Sequence, residues 1–298
     1  MSTRATTTSV PPVTEQPTGG DTRHDDAGPA DRVARLLAGH GLLGVAYSGG
    51  VDSATLLALA VRTLGPDGVV AILGVSPSLA TDEREAAHAT AREIGARVVE
   101  VETHEGDNAE YRANGPDRCF HCKDELFARI SDELVAELGL AAVAYGENAD
   151  DARRPDRPGA QAASNHRVLR PLAEVGLTKA MVRQVARELG VPVADKPAAP
   201  CLASRIPHFE EVTPEKLAQV DAAEGALRRL GFSDGRVRHH GDVARIELPA
   251  AEIVRAAELR DEVHAAITAA GFRFAAVDLR GIQSGAFTLP LVDISHGR

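Results

Sequence analysis

The hexapeptide Ser-Gly-Gly-Val-Asp-Ser at residues 48–53 has the residue types and spacing of a phosphate-binding turn. An apolar run precedes it and another follows it, which predicts a strand, a tight turn and a helix. Such a turn presents unpaired backbone N–H groups at the positive end of the helix dipole. Gly49 and Gly50 allow the backbone to take a positive φ and to approach an anion closely. Ser48 and Ser53 can add hydroxyl donors, so the turn predicts a bound phosphate.

Asp52 is the unusual member of this turn, because a carboxylate repels a neighbouring phosphate. A Mg²⁺ ion, which prefers oxygen ligands and bridges phosphates, removes that conflict. We therefore expect Asp52 to act with Mg²⁺ in the reaction. The alternative is an ordinary turn in which Asp52 and Ser53 cap the helix.

The surrounding sequence argues against two other nucleotide sites. No lysine follows the glycines as in a Walker A loop, and no G-x-G-x-x-G follows the first predicted strand. The hexapeptide instead resembles the pyrophosphate loop (PP-loop) of the N-type ATP pyrophosphatases. That resemblance implies that ATP is cleaved between its α and β phosphates. AMP is then attached to a substrate oxygen, and a nucleophile displaces it.

Three cysteines form the second group of candidate residues. Cys119 and Cys122 lie in a C-x-x-C sequence just before a predicted helix, which places two sulfurs within reach of one metal centre. Cys201 lies in a proline-rich loop. The alternatives are a zinc ion with His121 or another histidine as fourth ligand, a redox pair, inert buried thiols, and an iron–sulfur cluster on three thiolates. The spacing alone does not choose, but the PP-loop favours the cluster, because an activated carbonyl needs a nucleophile such as sulfide.

A group of arginines in the second half predicts a second phosphate site. Arg236 and Arg238 are two residues apart on a predicted strand and therefore project from one face. Ser204 and Arg205 follow the third cysteine closely, and guanidinium groups bind phosphate through two parallel hydrogen bonds. The alternative is surface charge paired with nearby acids. Glu224 is interpreted either as a metal ligand or as a solvated helix residue.

Strands and helices alternate in the first half of the chain, which predicts a doubly wound α/β fold with a parallel sheet. Ligands of such sheets bind beyond the carboxyl ends of the strands, where both the PP-loop and the acidic run 146–151 fall. That run can orient ATP, substrate or Mg²⁺, or can be a simple turn. The predicted strands are 42–47, 69–75, 96–102 and 140–145, and the predicted helices are 52–64, 82–94, 123–138 and 178–189.

We divide the chain into a disordered tail over 1–30, a PP-loop domain over 31–208 and a smaller C-terminal α+β domain over 209–298. Residues 150–167 and 195–205 read as loops, and Thr81 is expected to cap the helix that follows it. The C-terminal domain is predicted to contain a helix beginning at Pro214, a strand or hairpin over 236–248, a helix over 250–269 and a strand over 274–279.

The composition is ordinary for a soluble globular protein and argues against several classes of function. The 298-residue chain is 44% hydrophobic with a formal net charge of -10, which argues against broad nucleic-acid binding. No apolar stretch reaches membrane-spanning length, and the tail lacks the apolar segment of a secretion signal. Three cysteines suit disulfides poorly, so a reducing, cytoplasmic location is expected.

Five blocks of sequence occur in a specific order: SGGVDS at 48–53, PDRCFHCK at 116–123, GENADD at 146–151, DKPAAPCLASR at 195–205 and RVRHHGDVARIEL at 236–248. Together they resemble the LarE family of ATP-dependent sulfur transferases, which help to build the nickel-pincer nucleotide cofactor of lactate racemase. The resemblance covers about residues 31–285. It implies an adenine nucleotide alpha-hydrolase-like fold and adenylylation of a carboxylate of pyridinium-3,5-biscarboxylic acid mononucleotide. Sulfur then replaces AMP to give a thiocarboxylate.

The resemblance also implies roles for particular residues. It assigns ATP and pyrophosphate to the PP-loop residues Ser48, Gly49, Gly50, Asp52 and Ser53. It assigns the substrate phosphate to Ser204, Arg205, Arg236 and Arg238, with Glu224 added.

Some members of the family sacrifice the sulfur of one cysteine. In those members the positions of Cys119 and Cys122 are not cysteine, and the sacrificial residue lies one place from Cys201. This chain resembles the three-cysteine type, in which a [4Fe-4S] cluster supplies the sulfur. The resemblance also implies a homo-oligomer, a sulfide donor and a downstream nickel-insertion protein.

Three other functions are compatible with parts of the pattern. A tRNA thiolation enzyme also combines a PP-loop with cysteines, but it needs a broad basic surface that the acidic balance does not favour. A nucleotide-binding regulator would bind ATP without releasing pyrophosphate. A synthetase coupled to an amidotransferase is disfavoured, because no glutaminase segment is visible.

Overall fold

The computed structural model describes residues 27–153 and 158–282. Within them lie a four-stranded parallel sheet and a smaller three-stranded sheet. The predicted α/β class, with a parallel sheet followed by a smaller α+β region, is confirmed. Residues 1–26 of the predicted tail lie outside the described residues, and the first helix begins at Pro29, inside the range assigned to that tail.

The elements of the first sheet alternate as the sequence predicts. Its strands are β1 (Leu43–Tyr47), β2 (Val69–Val75), β3 (Arg97–Glu102) and β4 (Ala142–Tyr145). Its helices are α1 (Pro29–Leu37), α2 (Val51–Leu64), α3 (Thr81–Ile94), α4 (Ala109–Arg112), α5 (Arg118–Arg129), α6 (Val135–Leu138), α7 (Ala149–Ala152), α8 (Pro158–Asn165), α9 (Pro171–Glu174) and α10 (Lys179–Glu188).

Alternate residues of the central strands enter two different cores, because successive side chains of a strand point to opposite faces. On β2, Ala71 and Leu73 pack in the core that holds α1, α2 and α10. Val70 and Ile72 pack in the core on the other face, together with Phe127 of α5. Helices thus cover both faces, which is why these strands are almost continuously apolar.

The strand order β3-β2-β1-β4 creates a crevice at one end of the sheet. From β1 the chain proceeds outward to β2 and β3, and then returns to place β4 on the other side of β1. Connections leave β1 and β4 in opposite directions at their carboxyl ends, and ligands bind at such a reversal. The loops after β1 and β4 are therefore the expected position of a nucleotide site.

The second sheet has the order β5-β6-β7, with an antiparallel hairpin of β5 and β6 and a parallel β7. These strands are Arg236–His240, Val243–Glu247 and Phe274–Val277, and the helices packed with them are α11 (Pro214–Arg229), α12 (Ile253–Glu258) and α13 (Arg260–Ala269). Their core also includes Leu202, Ala203 and Ile206, which follow the third cysteine. The boundary at 208/209 stays a prediction. None of the helices in the described ranges has the length and apolar character needed to cross a bilayer.

The helix predicted over 123–138 is wrong at its beginning. Helix α5 starts at Arg118, so Cys119 and Cys122 lie inside the helix and not in a turn before it. Pro116 and Asp117 are the start signal that the apolar pattern does not reveal. A π-helical turn at Ile130–Leu134 then joins α5 to α6. Both thiols are consequently held on a rigid element.

Two further predicted boundaries are wrong. The loop predicted over 150–167 contains helices α7 and α8, because Ala162 and Ala163 bury completely against the core of α5. This is tertiary packing that a polar, arginine-rich composition hides. The helix predicted over 250–269 is divided at Leu259 into α12 and α13.

The two sheets are joined through the first turn of α3. The predicted cap residue Thr81 is not the N-cap, which is Ala80 and makes no side-chain capping bond. Instead, Asp221 of α11 accepts hydrogen bonds from the Thr81 hydroxyl at 2.7 Å and from the Thr81 N–H at 3.3 Å. Asp82 pairs with Arg228 of the same helix. Carboxylates are favoured at a helix N-terminus, so α11 supplies the cap that α3 lacks.

Acid is expected to weaken a surface network on β3. Arg84 and His88 both bond Glu100, and mainly the Arg84 hydrogen bond lowers the pKa of Glu100 from 4.5 to about 2. A depressed carboxyl pKa contributes stability above pH 4.5 that is lost as the pH falls toward 2. Glu100→Gln should therefore lower the free energy of unfolding at pH 7 by about 0.5–1 kcal/mol, a small value because the pair is exposed.

Denaturant unfolding of wild type and variant at several pH values measures this effect. The difference should shrink steadily below pH 4.5. Glu102→Gln, at an exposed position of the same strand, is the matched control and should change little. An undiminished difference at pH 2.5, about half a unit above the folded pKa, would contradict the assignment.

Candidate active site

The turn after β1 has only part of the geometry expected of its glycines. Gly49 adopts a positive φ of 71°, whereas Gly50, the N-cap of α2, has a φ of -79° that does not require glycine. The Ser53 hydroxyl donates to the Gly50 carbonyl at 3.1 Å and accepts from the Ser48 N–H at 3.2 Å. These bonds close the turn around the first residues of α2, whose N–H groups form an anion site.

Two neighbouring segments pack tightly on this turn. A Cβ atom on Gly49 would lie 2.9 Å from the Cβ of Ala87 on α3. A Cβ atom on Gly146, which follows β4, would lie 2.8 Å from both the N and Cα atoms of Ser53. The turn is thus pressed between α3 and the end of β4. Gly146 was expected to lie at a strand end, but its contact with the turn is visible only in the structure.

Lys179 is a site residue that the sequence analysis missed. Its ammonium group lies 2.6 Å from Asp52 Oδ2, although the two residues are 127 positions apart. The other oxygen, Oδ1, is buried and has no hydrogen-bond partner in the part of the chain that the structure describes. The side chain of Thr178 caps α10 and the Lys179 N–H donates to Asp150 at 2.8 Å. The cap signal at Thr178 was readable, but the direction of Lys179 was not.

The acidic run after β4 combines the two interpretations given to it. Asn148 caps α7 by accepting from the N–H groups of Asp150 and Asp151, which is the turn-forming alternative. Glu147 is almost completely buried, and Arg170 donates to it at 3.3 Å. Through Asp150 the run also orients the helix that carries Lys179. Asp150 is therefore connected to the PP-loop through Lys179, which pairs with Asp52.

The three cysteines lie close enough to influence one another electrostatically. Cys119 and Cys201 are exposed and Cys122 is half-buried. Burial of the thiol raises the pKa of Cys122 well above its usual value, and the charges of Glu105, Cys201 and Cys119 add to that rise. Although Cys201 is exposed at the protein surface, the protein atoms packed around its sulfur desolvate it and raise its pKa, and the charge of Arg118 offsets part of that rise. The structure thus brings the distant Cys201 to the C-x-x-C helix.

Contacts made by residues beside the cysteines place the three thiols at the carboxyl edge of the first sheet. The Leu202 N–H, next to Cys201, donates to the carbonyl of Ser78, three residues beyond the end of β2. Glu105, whose charge acts on Cys122, follows β3 and accepts from Ser76 at 2.6 Å. Lys123 contacts the hydroxyl of Tyr145, the last residue of β4. The PP-loop follows β1 at this same edge.

The arrangement of these side chains does not favour binding of a single metal ion such as zinc. Among the described residues, no three histidine, cysteine, aspartate or glutamate side chains are placed to hold one ion. His121, the suggested fourth zinc ligand, instead contacts Asp117 at 3.3 Å and Asn108 at 3.5 Å. An iron–sulfur cluster binds its thiolates through different irons and spaces them more widely than one ion does.

The arginines predicted to bind the substrate phosphate lie close together, and two of them pair with buried carboxylates. Arg205 makes a double hydrogen bond to Glu224 at 2.8 and 3.0 Å, and Arg238 pairs with Glu247 at 2.8 Å. Desolvation and the like charge of Arg205 are the main causes that lower the pKa of the buried Arg236. The phosphate-binding role of this cluster stays a prediction.

Both interpretations of Glu224 given by the sequence need correction. Glu224 is neither a metal ligand nor a solvated residue: it is 2% exposed and holds Arg205 and the Val237 N–H. Arg205 also donates to the Ser204 hydroxyl at 2.9 Å and to the Pro200 carbonyl at 2.7 Å. Arg205 thus braces the turn after Cys201 as well as belonging to the arginine cluster.

Comparison with known proteins gives one family model and two relatives of high coverage. Residues 30–136 match the model described as asparagine synthase. The chain is 45% identical over 244 residues to the uncharacterized protein slr1717 of Synechocystis sp., covering 81% of this chain and 90% of the relative. It is 37% identical over 241 residues to the pyridinium-3,5-bisthiocarboxylic acid mononucleotide synthase of Lactiplantibacillus plantarum, covering 81% of this chain and 87% of the relative.

Proposed function

We propose a function from the premise that this chain belongs to the LarE family. It is an ATP-dependent sulfur transferase that adenylylates a carboxylate of pyridinium-3,5-biscarboxylic acid mononucleotide and replaces AMP with sulfur. The observation that carries the proposal is the meeting of the PP-loop and the three cysteines at one edge of the sheet. An activating site and a sulfur site must share one substrate, and the position of both groups of residues at this edge supports such sharing.

The ATP step falls to the turn after β1. Ser48, Gly49, Gly50 and Ser53 form the cradle for the pyrophosphate, whose charge is favoured by the N-terminus of α2. Asp52 holds Mg²⁺, and its buried, unpartnered Oδ1 within the described residues supports this role. Lys179, now paired with Asp52, adds a cation beside the phosphates.

The substrate is held by its phosphate in the arginine pocket. Arg236 lies under the like charges of Arg205 and Arg238, and those two guanidinium groups are oriented by their carboxylate partners. Ser204 contributes its hydroxyl, which Arg205 already fixes. Glu224 acts by holding Arg205 and β5 in place. The pocket thus binds the end of the substrate that does not react.

The sulfur step falls to Cys119, Cys122 and Cys201. Three thiols from two segments, with Arg118 beside Cys119 and Cys201, form a donor set that fits a [4Fe-4S] cluster. Such a cluster, when bound, supplies the sulfur atom that replaces AMP. The chain's own part is to present these thiolates beside the adenylylated carboxylate and to release AMP.

Measurement of pyrophosphate release tests the proposal. The anaerobically purified protein is incubated with Mg²⁺ and ATP, with and without the pyridinium dicarboxylate mononucleotide, and the nucleotide product is analysed by mass spectrometry. Release that depends on this mononucleotide, with a thiocarboxylate as product, is expected. Release that depends on tRNA and is sensitive to salt would instead establish a tRNA thiolation enzyme. ATP binding without any release would establish a regulator.

The remaining expectations accompany this function. We propose a cytoplasmic homo-oligomer that receives sulfide from a donor and passes its product to a nickel-insertion protein. The acidic net charge of -10 supports a small nucleotide, not a nucleic acid, as substrate.

A further inference from the structure

We propose that Asn114 and Arg118 form a positioning pair that sets the distance between Cys201 and the helix carrying Cys119 and Cys122. Their importance for sulfur transfer rests on the proposed function, but their effect on the thiols does not. The side-chain hydrogen bonds that the structure describes for Asn114 and Arg118 join them to each other and to Ala203, Ile206 and Pro207. Both belong to the segment at the beginning of α5.

Arg118 connects the two cysteine segments through one guanidinium group. It is 8% exposed, and its Nη1 donates to Asn114 Oδ1 at 2.6 Å and to the Ala203 carbonyl at 2.9 Å. Arg118 directly precedes Cys119, and Ala203 lies two residues after Cys201. A single side chain therefore ties the first turn of α5 to the turn that presents Cys201.

Asn114 extends this connection along the Cys201 segment. It is completely buried, and its Nδ2 donates to the carbonyls of Ile206 at 3.2 Å and Pro207 at 2.7 Å. Its own carbonyl accepts from the Phe209 N–H at 3.2 Å. Its backbone has a positive φ of 56°, which asparagine tolerates better than most residues. The pair thus contacts the segment at Ala203, Ile206, Pro207 and Phe209.

Arginine suits this position for geometric reasons as well as for its charge. Its planar group can bond two oxygens in fixed directions, whereas lysine presents a point charge on a flexible stem. Burial lowers the pKa of Arg118, but the combined charges of Cys201, Cys119 and Tyr111 more than offset that effect. Geometry and charge can be separated by replacing it with lysine.

The test uses a bifunctional bimane reagent that fluoresces when it bridges two thiols, applied to the iron-free full-length protein. Bridged pairs are identified by mass spectrometry. In Arg118→Lys we expect bridging of Cys201 to Cys119 or Cys122 to slow by about tenfold or more, because a displaced group loses its effective concentration. Bridging of Cys119 to Cys122 should not change, since α5 alone sets that spacing.

Several controls separate position from reactivity and from folding. Alkylation of Cys201 by a monofunctional reagent should be nearly unchanged in Arg118→Lys, since the charge remains. Asn114→Asp keeps the acceptor for Arg118 but loses the donors to Ile206 and Pro207, so it should also slow bridging to Cys201. Arg129→Gln, on the same helix but paired with Glu125, is the matched control. Thermal unfolding checks that each variant is folded.

Iron content after anaerobic reconstitution distinguishes the two proposals. If wild type takes up iron and Arg118→Lys takes up less, with slower bridging, both proposals are supported. If wild type takes up no iron but bridging still depends on Arg118, the cluster proposal fails and the positioning pair stands. Wild-type bridging rates in folded Arg118→Lys and Asn114→Asp would overturn the positioning pair, whatever the iron content.

Discussion

Replacing Cys201 with serine is expected to lower the rate of thiocarboxylate formation by roughly 1000-fold or more, because the three thiols of the sulfur site act together. Pyrophosphate release that depends on the pyridinium substrate should remain near the wild-type rate, since the PP-loop is unchanged. Cys119→Ser and Cys122→Ser should lose the same amount, because a cluster needs all three thiolates. Assays of product, pyrophosphate and iron on the same samples measure these effects.

The pattern among the three variants separates the possible sulfur sources. If Cys119→Ser and Cys122→Ser both form product in repeated turnovers, no cluster on three thiolates is required. A single turnover that removes one sulfur from Cys201, seen as a mass loss at that residue, would establish the sacrificial route. Zinc without iron in the reconstituted protein would favour the structural-metal interpretation.

Gly146→Ala is expected to lower pyrophosphate release by roughly 100-fold, because small displacements of a phosphate cradle are costly. The added methyl group would lie 2.8 Å from the N and Cα atoms of Ser53 and 2.9 Å from the carbonyl carbon of Asp52. These are backbone atoms of the first turn of α2 and cannot rotate away. Either the PP-loop or the end of β4 must move, at a cost of about 1–3 kcal/mol in stability.

Gly106→Ala is the control for this variant, since a Cβ atom there meets no heavy atom within 4 Å. It should retain wild-type pyrophosphate release and unfolding temperature. Calorimetric titration with ATP shows whether the loss in Gly146→Ala arises in nucleotide binding. A folded Gly146→Ala protein with wild-type release would show that this close contact does not position the PP-loop.

Much of the fold follows from local patterns in the chain. The strands β1 and β2 were predicted within one residue, because short apolar runs followed by turn-forming residues leave few alternatives. The caps of α10 by Thr178 and of α11 by Thr213 are local features of this kind, since a cap depends on residues three positions apart. Helix α8 was missed, because its stability comes from burial against α5.

The candidate site shows the same division. The glycine turn could be recognised because phosphate binding depends on a few consecutive backbone groups. The pairing of Arg205 with Glu224 could not, because α11 and the Cys201 segment meet only after folding. The correction of Glu224 from a possible ligand to a bracing residue comes from that contact. Burial of both partners makes their pairing necessary.

The PP-loop, the parallel sheet and the family could be predicted from local sequence, because their residues are neighbours in the chain or recur with a fixed period. The folded structure was needed to show that Lys179 faces Asp52, that Gly146 packs against Ser53, and that Cys201 lies near the C-x-x-C helix. These contacts join segments about 80 to 130 residues apart, and their geometry depends on how the strands are ordered and the helices packed.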